Sequence, residues 1–153
     1  KKLKKDFKTL LNKKFILIDG DDVRRIYDDR IGYTIKDRKK NGIRIRNICK
    51  FLDNQNIDVI VSVLSIFPDL LKWNRENLKE YYEIYLSVTH KVLTEKRDLK
   101  GIYKKNKNVV GKDIPFPVPK KPDIKIYNNT DLNNFDSITL KIIKSITKKY
   151  KKF

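Results

Sequence analysis

The sequence predicts an α/β fold built around a parallel sheet, on three observations. Short continuous apolar runs, Phe15-Ile16-Leu17-Ile18 and Val59 to Leu64, read as strands buried on both faces. Segments with apolar residues at helical spacing lie between such runs. The resulting alternation of strand and helix is what a parallel sheet with crossover helices requires. The 153 residues make one domain, 1–153, long enough to bury a core.

Each element has its own signal. Residues 1–12 form a helix with Leu3, Phe7, Leu10 and Leu11 on one face. The first strand follows at Phe15–Ile18 and ends in Asp19-Gly20-Asp21-Asp22. Thr34 to Asp37 is a capping box opening a helix that runs to about Asn54 and buries Ile45, Ile48, Cys49 and Leu52. Residues 58–64 are the second strand, 65–68 the loop at its end, and 69–78 a helix. Residues 82–88 are a third strand. Residues 89–105 are helical with a break near Gly101. Residues 106–122 hold all but one of the prolines and read as a mobile loop. Residues 124–127 are the last strand, and 137–149 a closing helix with Ile138, Ile142, Ile143 and Ile146 inward.

Composition narrows the function classes. Hydrophobic content of 39% and charged content of 37% argue against both a disordered and a membrane-embedded chain. A lone cysteine, Cys49, excludes an internal disulfide and suits a reducing cytoplasm. It reads as a core residue, and with a single histidine, His90, it argues against a dedicated zinc site. His90 reads as a local cap or surface residue, and Trp73, Tyr81 and Tyr82 as packing. The net charge of +18 has two readings: an anionic partner, or lysines on solvated faces. The arginines are less evenly spread than the lysines, with Arg24, Arg25, Arg30, Arg38, Arg44 and Arg46 in one short stretch. Arginine suits sites that hold phosphate or sulfate with a planar fork.

In open parallel sheets, ligands bind beyond the carboxyl ends of the strands. The first strand ends in Asp19-Gly20-Asp21-Asp22-Val23-Arg24. An acidic pair there can orient a metal-bound water and accept a proton from an attacking hydroxyl, and Arg24 can hold an anion. A second group is Gly32-Tyr33, Asp37-Arg38 and Asn41, with Arg38 and Asn41 on one helix face and Tyr33 placed to stack on a base or sugar. Each group alone also reads as a capped turn with solvated charges.

Taken in order, these segments resemble the adenylylsulfate kinases. That family's pattern reads D-G-D-x-x-R, then G-F, then D-R-x-x-N. Ser65-Ile66-Phe67-Pro68 is similar to its S-P-F-R, and residues 96–105 to its K-R-D-x-K-G-L-Y-K-K. Pro115, Pro119, Pro122 and Asp123 match its lid and following strand. The resemblance runs from residue 1 to about residue 148. It implies a three-layer P-loop-type nucleotide kinase fold, with a lid over about residues 97–119. It also implies phosphoryl transfer from ATP to a ribose 3′-hydroxyl. Asp21 would orient or deprotonate that hydroxyl, and Asp19 and Asp21 would position Mg2+ through water. Lys100 would join them in catalysis. Arg24, Tyr33, Arg38, Asn41, Ser65, Phe67 and Val109 would bind the nucleotide acceptor. Arg97 and Lys104 would contact ATP. A homodimer fits the family; nucleic acid and membrane are not among the partners it implies.

Departures from the family pattern carry their own expectations. The chain lacks the G-x-x-x-x-G-K-[ST] loop that cradles ATP phosphates. The native protein is therefore expected to carry about 15–20 further N-terminal residues, the size of a strand plus that loop. The sheet of the present chain should lack a central strand. Val109-Val110-Gly111-Lys112 stands where the family has F-T-G-I, which removes a ring that would stack on adenine. Pro68 replaces an arginine, and Ile43 replaces the first arginine of an N-I-R-R run. These changes fall on the acceptor side. They fit the family's cytidine diphosphoramidate kinases of capsule phosphoramidate synthesis, with adenylylsulfate as the alternative acceptor. A non-enzymatic basic nucleic-acid binder is the rival class, and an inactive kinase fragment a third reading.

Overall fold

A computed structural model describes residues 6, 14–27, 29–105, 107–129 and 135–150. The helix expected over residues 1–12 lies, Asp6 apart, outside them. Strand β1 (Ile16–Asp19) leads into the short helix α1 (Gly20–Arg25), and a coil then leads to α2 (Ile35–Asn54). Strand β2 (Val59–Ser62) is followed by α3 (Pro68–Asn77) and β3 (Ile84–Ser87). After α4 (His90–Val92) come a π-helical turn (Leu93–Arg97) and α5 (Ile102–Lys105). Strand β4 (Ile124–Tyr127) and α6 (Phe135–Tyr150) close the chain.

All strand pairing is parallel, as expected. β1 pairs β2, with Ile16 opposite Val59 and Asp19 opposite Ser62. β3 pairs β4, with Ile84 opposite Ile124 and Ser87 opposite Tyr127. A sheet that lacks a central strand is expected, and in agreement the described strands form two separate pairs with no hydrogen-bonded strand between them.

Helix α2 starts where its capping box predicts. Thr34 Oγ1 accepts from Asp37 N–H at 3.2 Å and donates to Asp37 Oδ2 at 2.7 Å, satisfying a backbone donor that the first turn leaves unpaired. Its inner face, Ile45 and Cys49 with Ile48 and Leu52, packs on Ile18, Val23, Val59 and Val61. Burial pushes the Cys49 thiol up to about 11, so it stays protonated and unreactive at neutral pH.

The helix expected over residues 89–105 is broken into three pieces. Asp98 explains the restart: its carboxylate accepts from Ile102 N–H at 2.6 Å and Tyr103 N–H at 3.0 Å, capping α5. Gly101, at φ +64°, makes the preceding turn, where a side chain would strain the backbone. Within the segment expected to be a mobile loop, Val109, Val110 and Ile114 are buried. Val110 pairs with Ile114 across a tight turn at Gly111, and both bury against Ile66, Phe67 and Phe116. This second apolar cluster ties residues 110–116 to the loop after β2.

Charges hold α6 against the amino ends of β3 and β4. Asp123 accepts from Glu83 N–H at 2.8 Å, Lys149 Nζ at 2.6 Å and Arg75 Nη1 at 3.3 Å. Tyr150 Oη donates to Tyr81 O at 2.7 Å, and its ring meets that of Tyr82 edge-on at 6.2 Å. Burial pushes the Asp123 carboxyl up, but the Lys149 and Glu83 hydrogen bonds outweigh it and hold the group below its usual range. Its stabilisation is therefore complete above the unfolded value of about 3.9 and fades as pH falls through the lower folded value. Asp123→Ala is expected to cost about 1.5–3 kcal/mol, the usual worth of hydrogen bonds to a charged group. Urea midpoints at neutral pH and near pH 3 check this; an equal loss at both would mean the carboxylate charge contributes nothing.

Candidate functional site

The acidic turn is built by the end of β1. Asp19 stops the strand and caps α1, its Oδ1 accepting from Asp21 N–H at 2.9 Å. Asp21 and Asp22 then occupy the first turn of α1, where exposed backbone N–H groups favour negative charge. One turn on, Arg24 lies with Nε 3.9 Å from Asp21 Oδ1. Its side chain is only 12% exposed, so this cation is largely shielded from water.

Two arginines meet at one ring. The Arg24 guanidinium lies 4.5 Å from the Tyr33 ring centroid, and that of Arg38 lies 5.3 Å from it. Arg24 Nη1 donates to Gly32 O, and Arg38 Nε donates to Tyr33 O at 2.9 Å. Arg38 Nη2 also donates to Asn108 O at 3.0 Å, joining α2 to the segment between α5 and β4. Burial, then the nearby Arg24 charge, lower the Arg38 pKa from its ordinary value. Two cations are thus held close together beside a half-exposed ring, an arrangement that a bound anion relieves.

Asn41 is 4% exposed. Its Nδ2 donates to Gly20 O at 2.9 Å, which locks α2 onto the acidic turn. Its Oδ1 is buried with no partner, as is Arg24 Nε. Buried polar atoms without partners are rare and costly. Two of the five such atoms among the described residues thus belong to predicted acceptor residues, the others being on Arg44, Asn74 and Glu83.

The structure therefore brings Asp19, Asp21, Arg24, Tyr33, Arg38 and Asn41 into one contact network. Ser65 is half-buried in the loop after β2, and Phe67 caps α3 without a side-chain hydrogen bond. The Phe67 ring lies 4.8 Å from Lys39 Nζ and packs on Ile66, Val110 and Ile114. Val109 is 6% exposed, with its N–H bonded to the Asp113 carboxylate at 2.9 Å. So placed, Val109 offers a base little surface. Arg97, Lys100 and Lys104 lie on the segment between β3 and β4. Arg97 reaches Asn128 at 3.4 Å, and Lys100 and Lys104 are exposed. His90 is exposed at the first position of α4, edge-on to Tyr103 at 5.7 Å.

No group of three or more His, Cys, Asp or Glu able to hold a metal occurs among the described residues. Mg2+ commonly keeps several waters and takes only one or two carboxylates plus substrate phosphates. Exposed Asp21, with Asp19 behind it, fits that mode and does not form an all-protein cage. Two cavities of about 300 Å³ and 290 Å³ lie along α6, away from the acidic turn. No described helix is long and apolar enough to cross a membrane.

Sequence reasoning missed the residues that hold the coil between α1 and α2. Asp29 pairs with both Lys40 and Arg44, and Arg44 stacks on Tyr27 at 4.0 Å. Lys40 and Arg44 share a helix face at i, i+4 spacing, a signal present in the sequence. Their partner across the coil had none.

Residues 2–127 match the family model described as adenylylsulphate kinase. The chain is 38% identical over 150 residues to a cytidine diphosphoramidate kinase of Campylobacter jejuni, covering 95% of this chain and 83% of that protein. It is 36% identical over 121 residues to an adenylyl-sulfate kinase of Clostridium kluyveri, covering 75% of this chain and 60% of that protein. Its fold is similar to the solved structure of the Mycobacterium tuberculosis APS kinase CysC in complex with AMPPNP and APS. The TM-score is 0.80 at 21% identity, over 95% of this chain and 87% of that one.

Proposed function

Because the chain belongs to the adenylylsulphate kinase family, we propose that it phosphorylates the ribose 3′-hydroxyl of an activated nucleotide at the expense of ATP. The observation that carries this reading is the pair of guanidiniums, Arg24 and Arg38, gathered on Tyr33 beside the Asp21 carboxylate. Cations and a ring suit a nucleotide with an anionic tail, and the acidic group suits its hydroxyl.

The chemistry is an in-line displacement. The acceptor O3′ bonds to the γ-phosphorus as the bond to the β,γ-bridging oxygen breaks, and ADP leaves. Asp21 orients the hydroxyl and takes its proton. Arg24 and Arg38 hold the acceptor tail, and Tyr33 and Phe67 supply apolar surface for base and sugar. Asn41 holds the acidic turn in place through Gly20 and keeps Oδ1 for a ligand donor. Ser65 lies in the same loop as Phe67. Lys100, Arg97 and Lys104 approach the donor phosphates from the lid segment. Asp19 and Asp21 would hold Mg2+ through water, and the ion would supply charge neutralisation on those phosphates. Most of the rate comes from positioning and charge stabilisation.

Cytidine diphosphoramidate is the favoured acceptor, and adenylylsulfate the alternative. Val109 and Pro68 support the first, since each removes a group suited to a larger base or a more anionic tail. The identity across 95% of the chain to a cytidine diphosphoramidate kinase supports it too. The family's other named members support the second. The rival nucleic-acid reading loses weight because the arginine-rich stretch is engaged within the protein. Arg25 pairs with Asp22, Arg44 with Asp29, and Arg46 packs on Trp73. An ADP-release assay on the full gene product, with both acceptors, tests the reading. Turnover is expected with both, faster with the cytidine compound. Faster turnover with adenylylsulfate would overturn the acceptor assignment, and none with either would overturn the kinase reading.

A further inference from the structure

The coil between α1 and α2 carries Tyr33 and Gly32, yet makes little regular structure of its own. Two ties at its far end were described above: Arg24 to Gly32 O and Arg38 to Tyr33 O. The third lies at its middle. Asp29 Oδ2 accepts from Lys40 Nζ and from Arg44 Nη2, both on α2. Arg44 is 13% exposed, with its guanidinium carbon 4.0 Å from the ring centroid of Tyr27 near the start of the same coil. The next residue, Arg30, sits at φ +25°. A non-glycine residue keeps such a backbone only where its surroundings over-determine it.

Arg38, Asn41 and Arg44 follow one another at three-residue intervals along α2, so each neighbours the next. Arg38 grips the Tyr33 carbonyl, Asn41 the Gly20 carbonyl, and Arg44 the Asp29 carboxylate. One helix thus holds both the acidic turn and the coil that carries the acceptor ring. Its grip on Asp29 is the one made to a charged side chain rather than to backbone.

We infer that Asp29 is a positioning residue for the acceptor: held by Lys40 and Arg44, it fixes the coil on α2 and so sets where Tyr33 stands between Arg24 and Arg38. It touches neither substrate nor reacting atoms. The two cations hold its carboxyl down at about 2, so the tie stays charged through the neutral range. The pair is partly exposed, and salt weakens it. Acceptor binding is therefore expected to weaken with ionic strength in part through this coil. The inference rests on the nucleotide-kinase reading for its functional half.

The test uses the full gene product with Asp29→Asn and Asp29→Glu. Two readouts are taken: hydrogen–deuterium exchange of residues 29–34 without ligand, and KM for ATP and for the acceptor that wild type prefers. Asn keeps the size but not the charge, while Glu keeps the charge. Asp29→Asn is expected to speed exchange in 29–34 but not in α2. It should raise acceptor KM on the order of tenfold, the loss of about one charge-assisted bond, with ATP KM within about twofold. Asp29→Glu should recover much of that. Unchanged exchange, an unchanged acceptor KM, a parallel rise in ATP KM, or no recovery by Glu each overturns the inference. If wild type turns over neither acceptor, the kinase reading fails. The exchange arm then decides the anchor alone: faster exchange confined to the coil supports it, and unchanged exchange overturns it.

Discussion

Asp21→Asn is expected to lower kcat by about 10²–10⁴-fold, the usual worth of a positioned general base. The side chain is exposed in the first turn of α1 and takes no part in either apolar cluster. The backbone N–H of residue 21 still donates to Asp19 Oδ1, so the cap survives the change. Asparagine cannot accept a proton at neutral pH but fills the same volume. The loss should therefore appear in kcat, with the melting temperature unchanged and acceptor KM altered only a few-fold. Steady-state kinetics on the full gene product, with a thermal melt beside them, check this. A drop of less than about tenfold would remove Asp21 from the proton-transfer role.

Arg38→Gln is expected to raise acceptor KM by about 10–100-fold, from losing hydrogen bonds to a charged group worth about 1.5–3 kcal/mol. Arg38 holds the Tyr33 carbonyl at 2.9 Å and the Asn108 carbonyl at 3.0 Å, and lies over the Tyr33 ring. It is the side chain that bonds both the acceptor coil and the lid segment. Arg38→Lys should recover little, because a point charge cannot span two carbonyls as the planar fork does. A mere electrostatic role would give the opposite result, with lysine near wild type. ATP KM should move far less than acceptor KM. Equal rises in both would mean that Arg38 supports the fold and not the acceptor.

Much of the site was legible because its signals are local. Asp19 followed by Gly20 and Asp21 reads as a strand end and a cap, and the structure builds that cap. Thr34 with Asp37 reads as a helix start, and α2 begins at Ile35. Arg38 and Asn41 share a helix face by spacing alone. The Asp29 tie was not legible, because its partners sit 11 and 15 residues away across a coil without periodicity. The burial of Val109, Val110 and Ile114 was hidden for a similar reason. A proline-rich segment reads as loose, while its burial depends on Ile66 and Phe67, more than forty residues earlier.

The sequence by itself determined the α/β class, the capped acidic turn and the arginine face of α2, since each follows from neighbours within a few residues. Only the tertiary structure decided that Arg24 and Arg38 converge on Tyr33, and that Arg38 also reaches the Asn108 carbonyl. Those outcomes depend on which distant segments pack together. Burial and hydrogen bonding across the whole chain settle that, and no local pattern encodes it.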